Sequence, residues 1–341
     1  MERKPLLSKR ALFAALFVLL LSLAGTKKAL AQNNVATLQH GNDISTFYGE
    51  YAYRNAYDSA AVGDIITLSS GRFRSVENVN KVITLRGAGC TYDAASDTYP
   101  TVIFNTTTFD TPEATTSFAI EGIWFEGYVY CKAIVAPSFV KCNFNDLRSN
   151  DNNKLTTDAL FVNCMIRSIG SYKGFRGVQF INSFVRHSYD MSDLTQASFV
   201  NCIWDVVYGN NVPSVRAKNC ILWGCGESNT SQFEYCIGNG NVFVNQQNST
   251  NWKVDNLNEV FNTLTGFECC NNSFFTADYT LLQSVIEGHP GHDGTQVGIF
   301  GGLAPYNPRP SYMVVQSCNV ASQSTQDNKL SVEIQVVGQG E

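Results

Sequence analysis

The chain has little charge and no cluster of basic residues. Asp, Glu, Lys and Arg make up 16% of its 341 residues, and the formal net charge is −5. Because Lys and Arg are scattered, no stretch is suited to follow the phosphates of a nucleic acid. Leu-rich stretches with a helical period are scarce as well. We therefore exclude nucleic acid as a predicted partner and expect few helices.

Hydrophobic runs are also scarce, and the longest one lies at the N-terminus. Residues 1–10 carry four basic side chains, and an apolar run of about 15 residues follows. This run is shorter than the roughly 20 residues of a membrane-spanning helix, and Ala29-Leu30-Ala31 has the small-x-small pattern of a cleavage site. We predict a signal peptide over 1–31 and export to the periplasm, the cell surface or the medium. No cysteine follows the run, so no lipid anchor is expected. No transmembrane segment is predicted in the mature chain.

What is abundant is Asn, Ser, Thr, Gly, Phe and Tyr, a composition typical of β-proteins with many turns. The sequence FVNC occurs at 161–164 and again at 199–202, with FVKC at 139–142 and FINS at 180–183. We call the position of the Cys in FVNC the marker. Marker residues are Gly122, Cys142, Cys164, Ser183, Cys202, Cys220 and Cys236, at spacings of 20, 22, 19, 19, 18 and 16 residues. This period predicts the coils of a parallel β-solenoid, stacked about 4.8 Å apart.

Each position of the repeat has an expected role. Phe at marker −3 should point inward and stack on its equivalents (Phe139, Phe161, Phe180, Phe199, Phe233). The Asn before the marker should form a bend, because Asn tolerates the left-handed conformation, and its amide can bond the same amide one coil away (Asn163, Asn182, Asn201, Asn219). Marker +2 is apolar again, which follows from alternation along a strand and predicts that Trp204 is buried.

The cysteines of the repeat admit several interpretations. Eleven cysteines cannot all pair within one chain. Neighbouring coils would bring Cα atoms within disulfide range, but parallel Cβ vectors keep the Cβ atoms too far apart without distortion. Zinc sites favour closer CxxC or HxxxH spacing, which the pair Cys269-Cys270 does not supply. We favour buried reduced thiols at Cys142, Cys164, Cys202 and Cys220, with no metal, and keep a Cys220–Cys225 disulfide as the alternative.

Three stretches resemble the right-handed parallel β-helix, or pectin-lyase-like, proteins, in particular secreted ones of Bacteroidetes. They are EYAYRNAYDSAAVGDIITLSSGRFR (50–74) with KVITLRGAG (81–89), the FVNC-type repeat, and GHDGTQVGIFGG (291–302). The resemblance implies an all-β fold with an amphipathic capping helix at the start and a closing coil near the end. We therefore expect four segments: the signal peptide at 1–31, an N-terminal segment with the helix at 32–62, the β-helix at 63–304, and a strand-like tail at 305–341.

Capping matters because a solenoid exposes a sheet edge at each end, to which other chains can add. We expect the helix to cover one end. The tail, whose LSVEIQVV alternates like a strand, should cover the other end or lie along a flank.

Members of this fold often cleave acidic polysaccharides, but their motifs are not found here. The hydrolases carry Asn-x-Asp, Asp-Asp and Gly-His-Gly stretches that supply an acid and a base, and this chain has no Asn-x-Asp and no Asp-Asp. The lyases need a base and a group that neutralises the substrate carboxylate, often calcium. We therefore predict no cofactor, with calcium expected only if the protein is a lyase.

A column of outward residues at marker +3 is the predicted ligand site. It comprises Asn145, Arg167, Arg186, Asp205 and Trp223, with His187, Asp190 and Asp193 nearby. Two arginines on neighbouring coils can bind an acidic sugar chain, and Trp223 can stack on a ring. The alternative is a solvated face on which Arg and Asp pair for modest gain.

A second outward column, at marker −2, is apolar over four coils (Val140, Val162, Ile181, Val200). Either the inward assignment is off by one residue near the bend, or the tail or another subunit covers this face. We favour a cover.

The sequence thus predicts an exported, non-catalytic β-helix that binds glycan or serves structurally at the cell surface. The alternative is a polysaccharide lyase or glycoside hydrolase acting on an acidic polysaccharide. A catalytic site should show titratable groups converging in a groove on one sheet.

Overall fold

The chain folds as a right-handed parallel β-helix of about eight turns, which confirms the predicted fold class. The structure, a computed structural model, describes residues 34–92, 99–111, 118–149, 155–171, 174–187, 194–206, 214–226, 230–239, 242–243, 250–264, 272–311, 314–320 and 332–337. The predicted signal peptide, Asp190, Asp193 and the Cys269-Cys270 pair lie outside these residues. Among the described residues, no helix has the length and apolarity of a membrane span.

Strands are short, and most belong to the coils. The first half contains β1 (Val35–His40), β2 (Asp43–Tyr48), β3 (Ile65–Leu68), β4 (Gly71–Arg74), β5 (Asn78–Val79), β6 (Thr84–Arg86), β7 (Thr101–Phe104), β8 (Thr107–Asp110), β9 (Ala119–Glu121), β10 (Ile123–Lys132), β11 (Ser138–Val140), β12 (Asn143–Ser149), β13 (Thr156–Thr157), β14 (Leu160–Val162) and β15 (Met165–Ser171). The second half contains β16 (Phe175–Arg176), β17 (Gln179–Ile181), β18 (Phe184–His187), β19 (Leu194–Thr195), β20 (Ser198–Val200), β21 (Ile203–Val206), β22 (Arg216–Lys218), β23 (Ile221–Trp223), β24 (Gln232–Glu234), β25 (Ile237–Asn239), β26 (Trp252–Val254), β27 (Val314–Val320) and β28 (Val332–Val337).

The described residues contain few helices. They are α1 (Ala52–Ser59), α2 (Gln283–Gly288) and two 3-10 turns, Leu257–Glu259 and Asn272–Phe275.

Two long sheets form the walls of the solenoid. Sheet 1 has eleven strands in the order β2-β1-β3-β6-β9-β11-β14-β17-β20-β22-β24. Sheet 2 has twelve strands, running from β26 through β25, β23, β21, β18, β15, β12, β10 and β7 to β4, with β5 and β8 beside this path. A small third sheet joins β13, β16 and β19. Consecutive coils pair in parallel, so equivalent residues stack along the axis.

The predicted phenylalanine column fills the core of sheet 1. The rings of Phe139, Phe161, Phe180 and Phe199 are fully buried. Successive ring centroids lie 5.0, 5.2 and 4.8 Å apart with interplanar angles of 17° or less. Trp204 is fully buried and stacks on Phe199, as alternation predicts. The inward assignment of the repeat is therefore correct.

The asparagines before the marker form the bend between sheets 1 and 2. Asn163, Asn182, Asn201 and Asn219 have φ of 54°, 45°, 52° and 55°, the left-handed region that Asn tolerates better than most residues. The amide of Asn182 donates to the carbonyls of Ile299 and Gly301, and that of Asn219 accepts from the backbone N–H of His292. For these two residues, partners in the C-terminal part of the chain replace the expected amide of the next coil.

The N-terminal end carries a hairpin as well as the expected helix. Strands β1 and β2 pair antiparallel, and β1 pairs antiparallel with β3. Helix α1 buries Ala52, Tyr53, Ala56 and Tyr57 at this end of the core. Sheet 1 therefore begins with a hairpin that the sequence analysis did not predict.

The C-terminal part lies outside the coils. Parallel pairing ends at β26, after which residues of 257–300 pack on the outer face of sheet 2. There, Met165, Phe184, Ile203, Ile221 and Ile237 form a second apolar cluster with the segment's own buried residues (Leu257, Val260, Phe261, Phe274, Tyr279, Leu281, Val285, Val297, Ile299). We call residues 257–306 the covering segment.

The covering segment also contains GHDGTQVGIFGG (291–302), which the sequence analysis expected to be a closing coil. That expectation is wrong, because this stretch lies against the asparagine bend: the N–H of Gly298 donates to the carbonyl of Asn219. Beyond it, the N–H of Ser311 donates to Glu121, so the chain returns to the early coils. The tail then forms an antiparallel hairpin of β27 and β28, and its predicted cover of an end or a flank stays a prediction.

Candidate functional site

Part of the predicted outward column is covered. Arg186 and Asp205 are 3% and 5% exposed, and Arg186 Nε donates to Asp205 Oδ2 at 2.7 Å. The guanidinium carbon lies 4.9 Å from the ring centroid of Phe274, in the covering segment. The two side chains pair across neighbouring coils, as the alternative interpretation held, but they are buried instead of solvated. Because the covering segment lies over them, they are not an open ligand surface.

Burial dominates the electrostatics of this pair. The pKa of Asp205 is raised by desolvation, although the nearby charge and hydrogen bond of Arg186 act in the opposite direction. Desolvation likewise raises the pKa of Tyr279, a residue of the same cluster. The pair is therefore buried beneath the covering segment at an electrostatic cost.

The other members of the column lie on strands of sheet 2 on either side of this pair. Asn145 is half-buried and its amide donates to the carbonyl of Glu126. Arg167 is half-buried. Trp223 is half-buried and packs on the second apolar cluster. His187 ends strand β18 opposite Val206. The column therefore follows consecutive strands of sheet 2, with Trp223 opposite Asp205 in the register. The covering segment lies over its middle, and its role as a ligand site stays a prediction.

Near Asn145, the early coils of sheet 2 carry an exposed aromatic surface whose charges are already balanced. The rings of Tyr128 and Tyr130 are stacked with centroids 6.2 Å apart. Arg148 lies over Tyr128 and donates to both carboxylate oxygens of Asp146 at 2.6 and 2.8 Å. The Asp and Arg of this surface form an ion pair with each other.

A groove on the outer side of sheet 1 is the better candidate. It has a volume of about 470 Å³ and crosses four successive coils. Its lining is almost entirely small or polar: Gly177, Gln179, Gln196, Ala197, Ser198, Ser214, Val215, Arg216, Thr230 and Gln232. We call this the polar groove.

The floor of the polar groove is a ladder at marker −4. Gln179 pairs with Ser198, Ser198 with Arg216, and Arg216 with Gln232 in the parallel register. At the strand spacing of about 4.8 Å, this ladder extends over about 14 Å. Parallel pairing thus sets polar side chains in a row at a fixed repeat along the solenoid.

The turns that precede these strands form one wall of the groove. Gly177 has φ +69°, and a Cβ there would lie 2.6 Å from a carboxylate oxygen of Asp158. Gln196, also at positive φ, accepts a hydrogen bond from Arg176 Nε at 3.2 Å. The hydroxyl of Ser214 donates to the carbonyl of Thr230 at 3.3 Å. The two hydrogen bonds tie successive turns together along the groove.

The chemistry of the groove favours binding over acid–base catalysis. Its amides and hydroxyls can both donate and accept hydrogen bonds. Arg216 is the one charged side chain among the described residues that line it. A hydrolase would need a carboxylic acid and a carboxylate there. Across the part of the chain that the structure describes, no group of three or more His, Cys, Asp and Glu side chains is arranged to hold a metal.

The sequence contained a signal for the groove that the repeat analysis did not use. Marker −4 reads Ser138, Leu160, Gln179, Ser198, Arg216 and Gln232, so it becomes continuously polar over the last four coils. The ligand site predicted from the sequence lies instead at marker +3, where the covering segment buries Arg186 and Asp205. The turns that form the groove wall repeat at the same spacing, because their lining residues all stand at marker −6 (Gly177, Gln196, Ser214, Thr230).

The apolar column at marker −2 lies on the same outer face. Val140, Val162 and Ile181 are half-buried, and Val200 is 37% exposed. Since the inward assignment is correct, these residues do face outward. The predicted cover by the tail or another subunit stays a prediction.

The cysteines at the marker are structural. Cys142, Cys164, Cys202 and Cys220 are fully buried. All eight cysteines whose side chains the structure describes, Cys225 included, are free thiols. Burial raises the pKa of Cys164, Cys220 and Cys225, which disfavours the reactive thiolate. The buried-thiol interpretation is confirmed for these residues, and the Cys220–Cys225 disulfide is absent.

Comparisons with known proteins give no relative: no protein-family model, no curated protein and no solved structure matches the chain.

Proposed function

We propose that the protein is an exported, non-catalytic β-helix that binds carbohydrate in the polar groove. The observation that carries this proposal is the in-register ladder of Gln179, Ser198, Arg216 and Gln232, which lines a groove of about 470 Å³. A sugar chain presents hydroxyl groups at a regular repeat. A row of amide and hydroxyl side chains at the strand spacing is matched to such a ligand.

The charge of Arg216 indicates which class of glycan the groove would prefer. An arginine can bind a carboxylate through two parallel hydrogen bonds. Its position in the middle of the ladder favours chains that contain uronic acid over neutral ones. Export is supported by the N-terminal sequence, with its basic start, apolar run and Ala29-Leu30-Ala31 site.

A glycan array probed with the purified protein tests the proposal. We expect binding to a subset of polysaccharides, with uronate-containing chains preferred. The bound polysaccharides are then incubated with the protein and assayed for new reducing ends and for the ultraviolet absorbance of unsaturated uronates. Binding without either product supports a binding protein. Either product would show a hydrolase or a lyase instead, and a blank array would remove the carbohydrate proposal.

A further inference from the structure

The two edge strands of sheet 1 differ in whether their free backbone groups are hydrogen-bonded. At the C-terminal end, side chains close the edge of β24: Asn251 Nδ2 donates to the carbonyl of Phe233 at 2.8 Å, Thr250 Oγ1 accepts from the N–H of Tyr235, and Asn251 Oδ1 accepts from the N–H of Cys236. These bonds occupy backbone groups that a further strand would use. Such a block is one way in which proteins protect sheet edges.

At the N-terminal end of sheet 1, the described residues form no comparable block. Strand β2 is the edge strand, and no further strand pairs with it in the part of the chain that the structure describes. Five of its six residues are exposed. They include Ile44 at 69% and Tyr48 at 57%, and Asp43 is its single charged residue. A long edge strand with exposed apolar side chains and little charge is a template for another strand.

The register of the β1–β2 hairpin shows which groups of β2 are open. His40 pairs with Asp43 across a two-residue turn that contains Gly41 at φ +59°. In antiparallel sheets, alternate residues direct their N–H and C=O toward the partner strand. Because the pair next to a two-residue turn is hydrogen-bonded, Ile44, Thr46 and Tyr48 direct these groups away from β1.

We propose that β2 is the interface for a second copy of this chain, with the two β2 strands paired antiparallel about a two-fold axis at Thr46. This register places Thr46 opposite Thr46 of the partner subunit. It places Ile44 opposite Tyr48 of the partner subunit, and this pair occurs twice because of the symmetry. Aromatic with β-branched pairs and Thr–Thr pairs are favourable across antiparallel strands.

Charge does not oppose this pairing. Under the same two-fold axis, Asp43 lies opposite Gly49 of the partner subunit, so the two Asp43 carboxylates are at opposite ends of the interface. The edge is self-complementary, which favours a second copy over a strand of different sequence. The two solenoids would then share one continuous sheet.

The interface is small. One six-residue edge buries less than the roughly 800 Å² per partner of a standard protein interface. We therefore expect a dimer that forms with rising concentration and dissociates on dilution.

Sedimentation equilibrium over a range of concentrations, with paired charge variants, tests the proposal. Wild-type protein should shift from the monomer mass toward twice that mass. Thr46→Lys and Thr46→Asp should each be monomeric at concentrations where the wild type is dimeric, because like charges then lie opposite each other. An equal mixture of the two variants should recover the dimer, because each Lys then faces an Asp.

Gln39→Lys is the matched control. Gln39 lies opposite Ile44 on β1, one strand inside the edge, and is also exposed. It should dimerise like the wild type. Wild-type protein that stays monomeric throughout would overturn the proposal. So would a dimer that Thr46→Lys leaves intact, or a mixture of variants that stays monomeric while each variant remains folded.

Discussion

At the scale of single residues, the buried ion pair of Arg186 and Asp205 should be the most sensitive to substitution, because each charge depends on the other. Both side chains are buried, beneath Phe274 and beside Tyr279. A buried charge that loses its partner is costly because nothing compensates its desolvation. The stability of variants at these two positions therefore measures how much the buried pair beneath the covering segment contributes to the fold.

We predict that Arg186→Gln lowers the free energy of unfolding by about 3–5 kcal/mol at neutral pH. The folded-state pKa of Asp205 is already raised by burial, and loss of Arg186 should raise it further. A carboxyl group with a raised folded pKa stabilises the fold below its unfolded pKa, and this stability is lost as pH rises through the folded value. The deficit should therefore shrink at mildly acidic pH, measured by urea unfolding.

The double variant Arg186→Met with Asp205→Leu is the control for that experiment. Replacement of a buried pair by apolar residues is often neutral or stabilising. It should unfold near the wild type and show no deficit that varies with pH. A deficit in Arg186→Gln that stays constant with pH would contradict a charged Asp205 as its cause.

Residue roles that repeat along the chain could be predicted from the sequence, whereas unique contacts could not. The stacking of Phe139 on Phe161 and the left-handed φ of Asn163 follow from the coil, because each coil repeats the same environment. The burial of Arg186 depends on Phe274, which lies 88 positions away and belongs to no repeat. No periodicity links the two residues, so the sequence could not show that this part of the column is covered.

At the scale of elements, the covering segment packs on sheet 2 through a few large side chains. Phe274 is fully buried, and its ring centroid lies 4.7 Å from that of Phe184 in β18. Among its described residues, 257–264 and 272–306, the segment has little regular structure beyond α2 and two 3-10 turns. Its attachment therefore depends on side-chain packing and on its hydrogen bonds to Asn182 and Asn219.

We predict that Phe274→Ala lowers stability by about 3–5 kcal/mol, since it removes a buried ring and leaves a cavity. Leu303→Ala is the matched control, because Leu303 is fully exposed in the same segment and should change stability by less than about 0.5 kcal/mol. Thermal unfolding monitored by circular dichroism measures both. Equal stability of the two variants would show that the segment does not depend on this contact.

The sequence contains a pattern that predicts the β1–β2 hairpin, although no hairpin was predicted there. VATLQH and DISTFY are alternating runs separated by Gly41-Asn42, a two-residue turn with Gly in the first position. The capping helix was expected from the resemblance of residues 50–74, and no hairpin was predicted before it. The unpaired edge of β2 follows from that hairpin.

At the scale of the whole molecule, the outer faces of sheets 1 and 2 differ in how accessible they are to a ligand. The covering segment occupies much of sheet 2, whereas the later coils of sheet 1 present the polar groove. A ligand that follows the solenoid axis therefore has its open path on sheet 1. The parallel register creates this path, because each coil contributes one residue to the ladder.

The most direct test of carbohydrate binding is a calorimetric titration of one array-selected oligosaccharide into three proteins. Ser198→Trp fills the centre of the polar groove. Ser138→Trp makes the same change in the same column and is equally half-buried, but lies on β11, outside the groove. We predict that wild type and Ser138→Trp bind alike and that Ser198→Trp loses binding at least tenfold. Equal affinity of all three proteins would contradict a ligand site in the polar groove.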